Sequence, residues 1–193
     1  MKISPKFVIK VAGTLTVIAL VTAALLGLVD GVTRDKIAEI EAEKTRVAMS
    51  AVAPAGSEFT DKLEIPAVAV EAAAAQGGKV LELYGVKAGG CVMKISASGS
   101  QGTIVMMVGV DANKAITGIS VVSHAETSGI GTKVCGNEPN DAGVPVLDQF
   151  IGMSGSGSLV VKKNIVPITT ATVSTKGITA GANAALAAAE ALG

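Results

Sequence analysis

The sequence predicts an α+β fold: one N-terminal transmembrane helix, then a domain with an antiparallel sheet and flanking helices. Three observations predict it. Val11–Val29 runs without a charge. Residues 80–123 hold short apolar runs of alternating pattern, split by Gly, Asn and Asp turns. Ala180–Leu192 is dominated by alanine, the strongest helix former.

Each element follows from its residues. Val11–Val29 spans about 28 Å as a helix, close to the thickness of a bilayer core. Lys2, Lys6 and Lys10 precede it and Asp30 follows it. The positive-inside rule therefore places the N-terminus in the cytoplasm and the rest of the chain outside, in a single pass of the cell membrane. A cleaved signal peptide, releasing a secreted binding domain, is the alternative. The apolar run is longer than a usual signal core, and no A-x-A site ends it. Thr33–Ala51 reads as a polar-rich juxtamembrane helix with Thr33 as its N-cap, ended by Pro54, Ala55 and Gly56. Residues 57–78 mix Pro66 with an alanine run and close at Gly77-Gly78. Val80–Val86, Cys91–Ser98, Gly102–Val110 and Ile116–Ser123 read as strands. His124–Gly143 reads as a long loop, and long loops in compact domains are often functional. A short helix at Asp148–Gly152, a turn at Ser154–Ser158 and a last strand at Leu159–Lys162 complete the reading. The expected organisation is an anchor (1–29), a juxtamembrane helix (30–56) and the folded domain (57–193).

Composition narrows the function. The chain has 193 residues, 49% of them hydrophobic and 17% charged, which excludes a disordered chain. Sixteen basic and sixteen acidic residues cancel, and Phe and Tyr supply only four aromatics, so no nucleic-acid partner is expected. Two cysteines and one histidine are a poor basis for a metal centre, and no metal ligands are assigned. Redox chemistry would need a bound cofactor. Outside the cytoplasm Cys91 and Cys135 could bridge. Two separate buried thiols, or ligands to a cluster shared with a partner, are the other readings.

Two segments carry chemistry. In Thr169–Thr175 five hydroxyl residues lie just before the predicted helix. A helix N-terminus offers free N–H groups and a positive dipole, which suits phosphate. A plain N-cap cluster gives the same composition. In His124–Gly131, Gly129 and Gly131 flank an apolar residue after Glu126 and Thr127. Such glycines allow positive φ or close approach, and Glu126 is placed to accept from a ring N–H. An ordinary surface loop is the bland alternative.

These segments, in this order behind an anchor, resemble the membrane-anchored FMN-binding subunits. They are the G subunit of the Rnf complex and the C subunit of the sodium-pumping NADH:quinone reductase. The family loop H-x-E-T-P-G-L-G corresponds to His124-Ala125-Glu126-Thr127-Ser128-Gly129-Ile130-Gly131. The flavin motif S-G-A-T-x-[ST] corresponds to Thr169-Thr170-Ala171-Thr172-Val173-Ser174. Ile104–Ile119 and Leu147–Phe150 are similar too. The likeness covers roughly residues 5–192, and the length favours the Rnf subunit.

The resemblance implies FMN joined through its phosphate to a threonine, with Thr172 as acceptor. A flavin transferase makes that bond outside the cytoplasm. Ser174 and Thr175 would hold phosphate oxygens, with Thr169, Thr170 and Ala171 completing the motif. Glu126 and Thr127 would lie near the flavin, with Gly129 and Gly131 shaping the loop. The implied activity is that of an electron-carrying subunit, with no catalytic residue of its own. Its complex would be a ferredoxin:NAD⁺ oxidoreductase that pumps Na⁺ or H⁺. Its partners would be the other subunits, including a membrane flavin subunit. A quinone-reductase-type flavoprotein and a flavin-free structural or assembly subunit are the alternatives. The sequence departs from the pattern where Thr170 stands for Gly, Ser128 for Pro, Ile130 for Leu, and Val166 for an acid common three residues before the motif. A domain so poor in aromatics would hold free FMN weakly, so a covalent tether fits. Met106, Met107 and Met153 are candidates to pack on the ring.

Overall fold

In the computed structural model, residues 5–54 and 56–193 are described. Lys2, counted in the basic flank, and Ala55, placed at a helix end, lie outside them. The chain divides into two units, Met1–Glu43 and Lys44–Gly193.

The first unit is helical. Helix α1 runs from Pro5 to Val52 without interruption. It is the one described helix long and apolar enough to cross a membrane. Leu15, Leu20 and Leu26 are each more than 60% exposed, as side chains that a bilayer would cover must be. The expected separate helix beginning at Thr33 is thus corrected. Thr33 is an interior residue whose hydroxyl donates back to the Val29 carbonyl at 2.9 Å. Satisfying its hydroxyl locally removes the competition that makes threonine a capping residue. Asp30 pairs with Arg34 at i,i+4, so the polar residues after the apolar run support the helix rather than end it.

The second unit is a five-stranded antiparallel meander in the order β1-β2-β3-β4-β5. The strands are β1 (Phe59–Leu63), β2 (Gly78–Val86), β3 (Cys91–Ser98), β4 (Thr103–Val110) and β5 (Ile116–His124). The four strands expected from alternation are β2 to β5. The first strand is an addition: four of its five residues are exposed, so it lacks a buried alternating face. Asp61 and Lys62 blunt it as a sheet edge. Helix α2 (Ala67–Ala75) is capped by Pro66 and buries Ala69 and Ala73, one turn apart on one face.

One face of the sheet carries the main core. Met93, Ile95 and Ala97 of β3, and Ile104, Met106 and Val108 of β4, pack under α2 and α4 (Thr172–Leu192). The small residues of α4 let it lie close: a Cβ on Gly181 would meet Met106 at 2.6 Å. The opposite face holds a smaller cluster, where Ala48, Met49 and Val52 from the end of α1 cover Val92 and Met107. Gly109 and Gly118, paired across β4 and β5, form a notch for that helix end. A Cβ on Gly109 would collide with the Val52 carbonyl oxygen, which accepts a hydrogen bond from the Thr117 hydroxyl. Met106 and Met107 are therefore fully buried on opposite faces, and neither is free to pack on a flavin.

Two further expectations are corrected, and the short helix expected at Asp148 is found in a 3₁₀ form. Leu159–Lys162 is not a strand; it makes only an isolated bridge, Val161 to Ile165. Asp148–Phe150 is a single 3₁₀ turn. The loop after β5 contains a short helix, α3 (Gly131–Cys135). Cys91 and Cys135 are separate thiols. Cys91 lies opposite Val110 at one end of β4, whereas Cys135 feels the charge of Glu126, which follows β5 from the other end. Burial is the main cause raising both pKa values, that of Cys135 to about 11.

Candidate functional site

Helix α4 begins earlier than its alanine run suggests. It starts at Thr172, so Thr172, Ser174 and Thr175 occupy its first turn. Ala171 stands at the N-cap with no side chain to cap the helix. The first-turn amides ahead of Thr175 consequently have no intrahelical acceptor. The positive end of a 21-residue helix lies there.

Glu126 ties this helix end to two loops. It is only 8% exposed. One carboxylate oxygen accepts from the amides of Ser100 (2.7 Å) and Gln101 (3.2 Å), in the turn between β3 and β4. The other accepts the Ser174 hydroxyl of α4. Burial by itself pushes the Glu126 pKa up. The bonds from Ser174, Gln101 and Ser100, with His124 close by, outweigh it and hold the carboxyl below its ordinary range. Gly131 is required at this junction, because a Cβ there would collide with the Glu126 carboxylate and crowd the Ser174 oxygen. His124 supports the loop by accepting the Glu126 amide at 3.3 Å.

The rest of the His124–Gly131 loop folds on itself. The Thr127 carbonyl accepts from the amides of Ile130 and Thr132, and the Gly129 amide donates to the Thr132 hydroxyl. Gly129 has φ +75° with open space around it. Thr127 and Ile130 stay exposed.

A second carboxylate reaches the hydroxyl run from the other side. Asp141 accepts both the amide (2.9 Å) and the hydroxyl (2.6 Å) of Thr169. Its own amide points to the Pro167 carbonyl at 3.4 Å. The bonds from Thr169 hold the exposed Asp141 carboxyl below its ordinary pKa. Between Thr169 and the start of α4 in the chain stands Thr170 with φ +77°. This is the position where the family pattern has Gly. A β-branched residue there is strained.

The hydroxyls of the run can be sorted one by one. Ser174 gives its proton to Glu126. Thr175, fully buried, gives its proton to the Ala171 carbonyl at 3.1 Å. Thr169 gives its proton to Asp141. Among the described residues, the hydroxyls of Thr170 and Thr172 alone in this run make no hydrogen bond. Of these two, only Thr172 is part of the uncapped helix turn. The hydroxyls of Ser174 and Thr175 are each engaged with a protein acceptor. Glu126 likewise has protein donors on both oxygens, so it organises the site from within.

The structure thus joins Glu126, Gly131 and Ser174 at one point and sets Thr169, Thr170, Ala171 and Thr172 along the entry to α4. Sequence reasoning misses Asp141, Ser100 and Gln101. The segment Gly99–Gly102 carries only a turn signal, and Asp141 carries none.

The chain is similar to known proteins. Residues 99–187 match the family model of an FMN-binding domain, and residues 1–52 match that of the RnfG N-terminal region. The G subunit of the Na⁺-translocating ferredoxin:NAD⁺ oxidoreductase complex of Acetobacterium woodii is 32% identical over 92% of this chain and 89% of its own length. The G subunit of the ion-translocating oxidoreductase complex of Methanosarcina acetivorans is 30% identical over 78% of this chain and 81% of its own. That of Aliivibrio fischeri strain ES114 is 29% identical over 62% and 60%.

Proposed function

The chain belongs to the G-subunit family of Rnf-type ion-translocating oxidoreductase complexes, and from that we propose an electron-transfer subunit carrying FMN esterified through its phosphate to Thr172. One observation carries the assignment of the acceptor. Thr172 is the residue of the run whose hydroxyl is unspent and which stands beside unsatisfied helix amides. A phosphoester fits these residues: the Thr172 hydroxyl would supply its oxygen, and the first-turn amides would donate to the phosphate. When bound, the flavin supplies the electron chemistry. The chain's own groups attach, orient and polarise. Glu126 fixes the start of α4 through Ser174 and so holds the Thr172 oxygen in place. The tether removes the need for an aromatic pocket, which this domain lacks.

The complex would couple electron flow from ferredoxin to NAD⁺ with movement of Na⁺ or H⁺, and a flavin transferase would load this subunit. Lys6 and Lys10 before the apolar run and Asp30 after it support an N-terminus in the cytoplasm and a flavin domain outside. Residues 1–29 would then anchor the chain, 30–56 would follow them out of the membrane, and 57–193 would hold the flavin.

Mass spectrometry of the tryptic peptide Asn164–Lys176 from native membranes tests the proposal. The expected result is a gain equal to FMN minus water on Thr172, lost in Thr172→Ala with the fold unchanged. An unmodified peptide at full yield, in cells whose transferase labels other proteins, would overturn it in favour of a flavin-free subunit.

A further inference from the structure

We infer that Asp141 is a specificity-determining residue: it withholds Thr169 from flavin attachment and so leaves the transfer to Thr172. This rests on the reading that FMN is esterified to Thr172. Ester formation needs a hydroxyl oxygen free to attack the flavin-side phosphorus of a flavin pyrophosphate such as FAD. The new bond is threonine oxygen to phosphorus, the bond broken is phosphorus to the bridging oxygen, and AMP leaves. The hydroxyl proton passes to a base of the transferase, and no electrons are exchanged. The chemistry itself does not distinguish Thr172 from Thr169, three residues away and more exposed.

The structure distinguishes them. Asp141 takes both donors of Thr169, its amide at 2.9 Å and its hydroxyl at 2.6 Å. The Thr169 oxygen is thereby held against a fixed negative charge, which repels an incoming phosphate. The Thr169 N–H already serves Asp141, so it is not available to receive phosphate oxygens. At Thr172 both conditions reverse: the hydroxyl makes no hydrogen bond, and the first-turn amides have no intrahelical acceptor. Ser174 and Thr175 need no such guard, being buried. The same geometry would suit a general base that activates Thr169. The two roles predict opposite outcomes.

The experiment uses the full-length chain in detergent with a purified flavin transferase and FAD, reading flavin per chain by fluorescence and its position by mass spectrometry of Asn164–Lys176. The parent background is Thr170→Gly/Thr172→Ala, which removes the two hydroxyls without partners. It is expected to take up no flavin. Adding Asp141→Ala is expected to place flavin on Thr169, roughly tenfold or more above the parent. Asp141→Ala by itself is expected to keep flavin on Thr172. The turn around it is held by Asn140, whose side chain accepts from Ala142 and Val144, so the melting temperature should not move. Asp141→Asn, which keeps the shape and removes the charge, provides a second variant with an intermediate gain. A triple variant that stays empty overturns the inference while leaving Thr172 as acceptor. Loss of flavin from Asp141→Ala at an unchanged melting temperature overturns it in favour of the activating role. Flavin on Thr169 in the parent background would defeat both this inference and the assignment to Thr172, as would an unmodified wild-type chain.

Discussion

Two carboxylates grip the segment that opens α4, and they differ in nearly every physical respect. Glu126 is buried, reaches across 48 residues to Ser174, and collects three donors from one turn and the start of α4. Asp141 is exposed, reaches across 28 residues to Thr169, and collects two donors from one residue. A buried acid with several protein donors is costly to lose, because each donor left behind is stranded away from water. An exposed acid can be lost with little effect on folding, because water replaces it. The difference teaches that one holds the site together while the other edits what the site can do.

That contrast can be broken or sharpened by measurement. The largest effect is expected from Glu126→Ala, which strands the Ser174 hydroxyl and two amides of the turn between β3 and β4. It should cost about 2–4 kcal/mol in denaturant unfolding of the full chain, against no detectable change for Asp141→Ala. Equal effects would erase the distinction. Next is Thr170→Gly, which relieves a β-branched residue at φ +77°. It should stabilise the domain by about 1 kcal/mol and leave the modification at Thr172. A loss of stability would mean that the threonine side chain supports the loop. The smallest effect is in pH. The folded pKa of Glu126 lies below its unfolded value, so its contribution is complete above about pH 4.3 and disappears as the pH falls through the depressed value. The stability advantage of wild type over Glu126→Gln should stay flat from pH 7 to about pH 4.3 and close only below it.

Much of this architecture is legible in the sequence, and the exceptions share a cause. The strands β2 to β5 show apolar alternation or continuous apolar runs, because burial on the sheet imposes them. The edge strand β1 buries almost nothing, so its sequence, Phe59-Thr-Asp-Lys-Leu63, carries no such imprint. Helix α2 hides in an alanine run whose small side chains give no periodic contrast. Helix α1 reads as two pieces because Asp30 follows the apolar run and Thr33 looks like an N-cap, whereas nothing in them forbids helical backbone. At the site, the hydroxyl run and the acidic loop are visible as composition. Which hydroxyl is spent on which acid is not, because the Glu126–Ser174 and Asp141–Thr169 bonds join residues with no local relation. The strain at Thr170 is half visible: the resemblance marks the position as one for glycine, and the backbone supplies the reason.

Helix α4 does two jobs at once, closing the core over the sheet and carrying Thr172 on its first turn. It follows all five strands in the chain, and the strands are joined neighbour to neighbour. During synthesis the meander can therefore pair early through local contacts, while its apolar face waits for α4. Until that helix docks, the acceptor segment is an unstructured string of threonines and serines with no aligned amides and no acids in place. A transferase that needs the finished helix end would thus load flavin only onto chains that have completed folding, making the cofactor a mark of a finished domain.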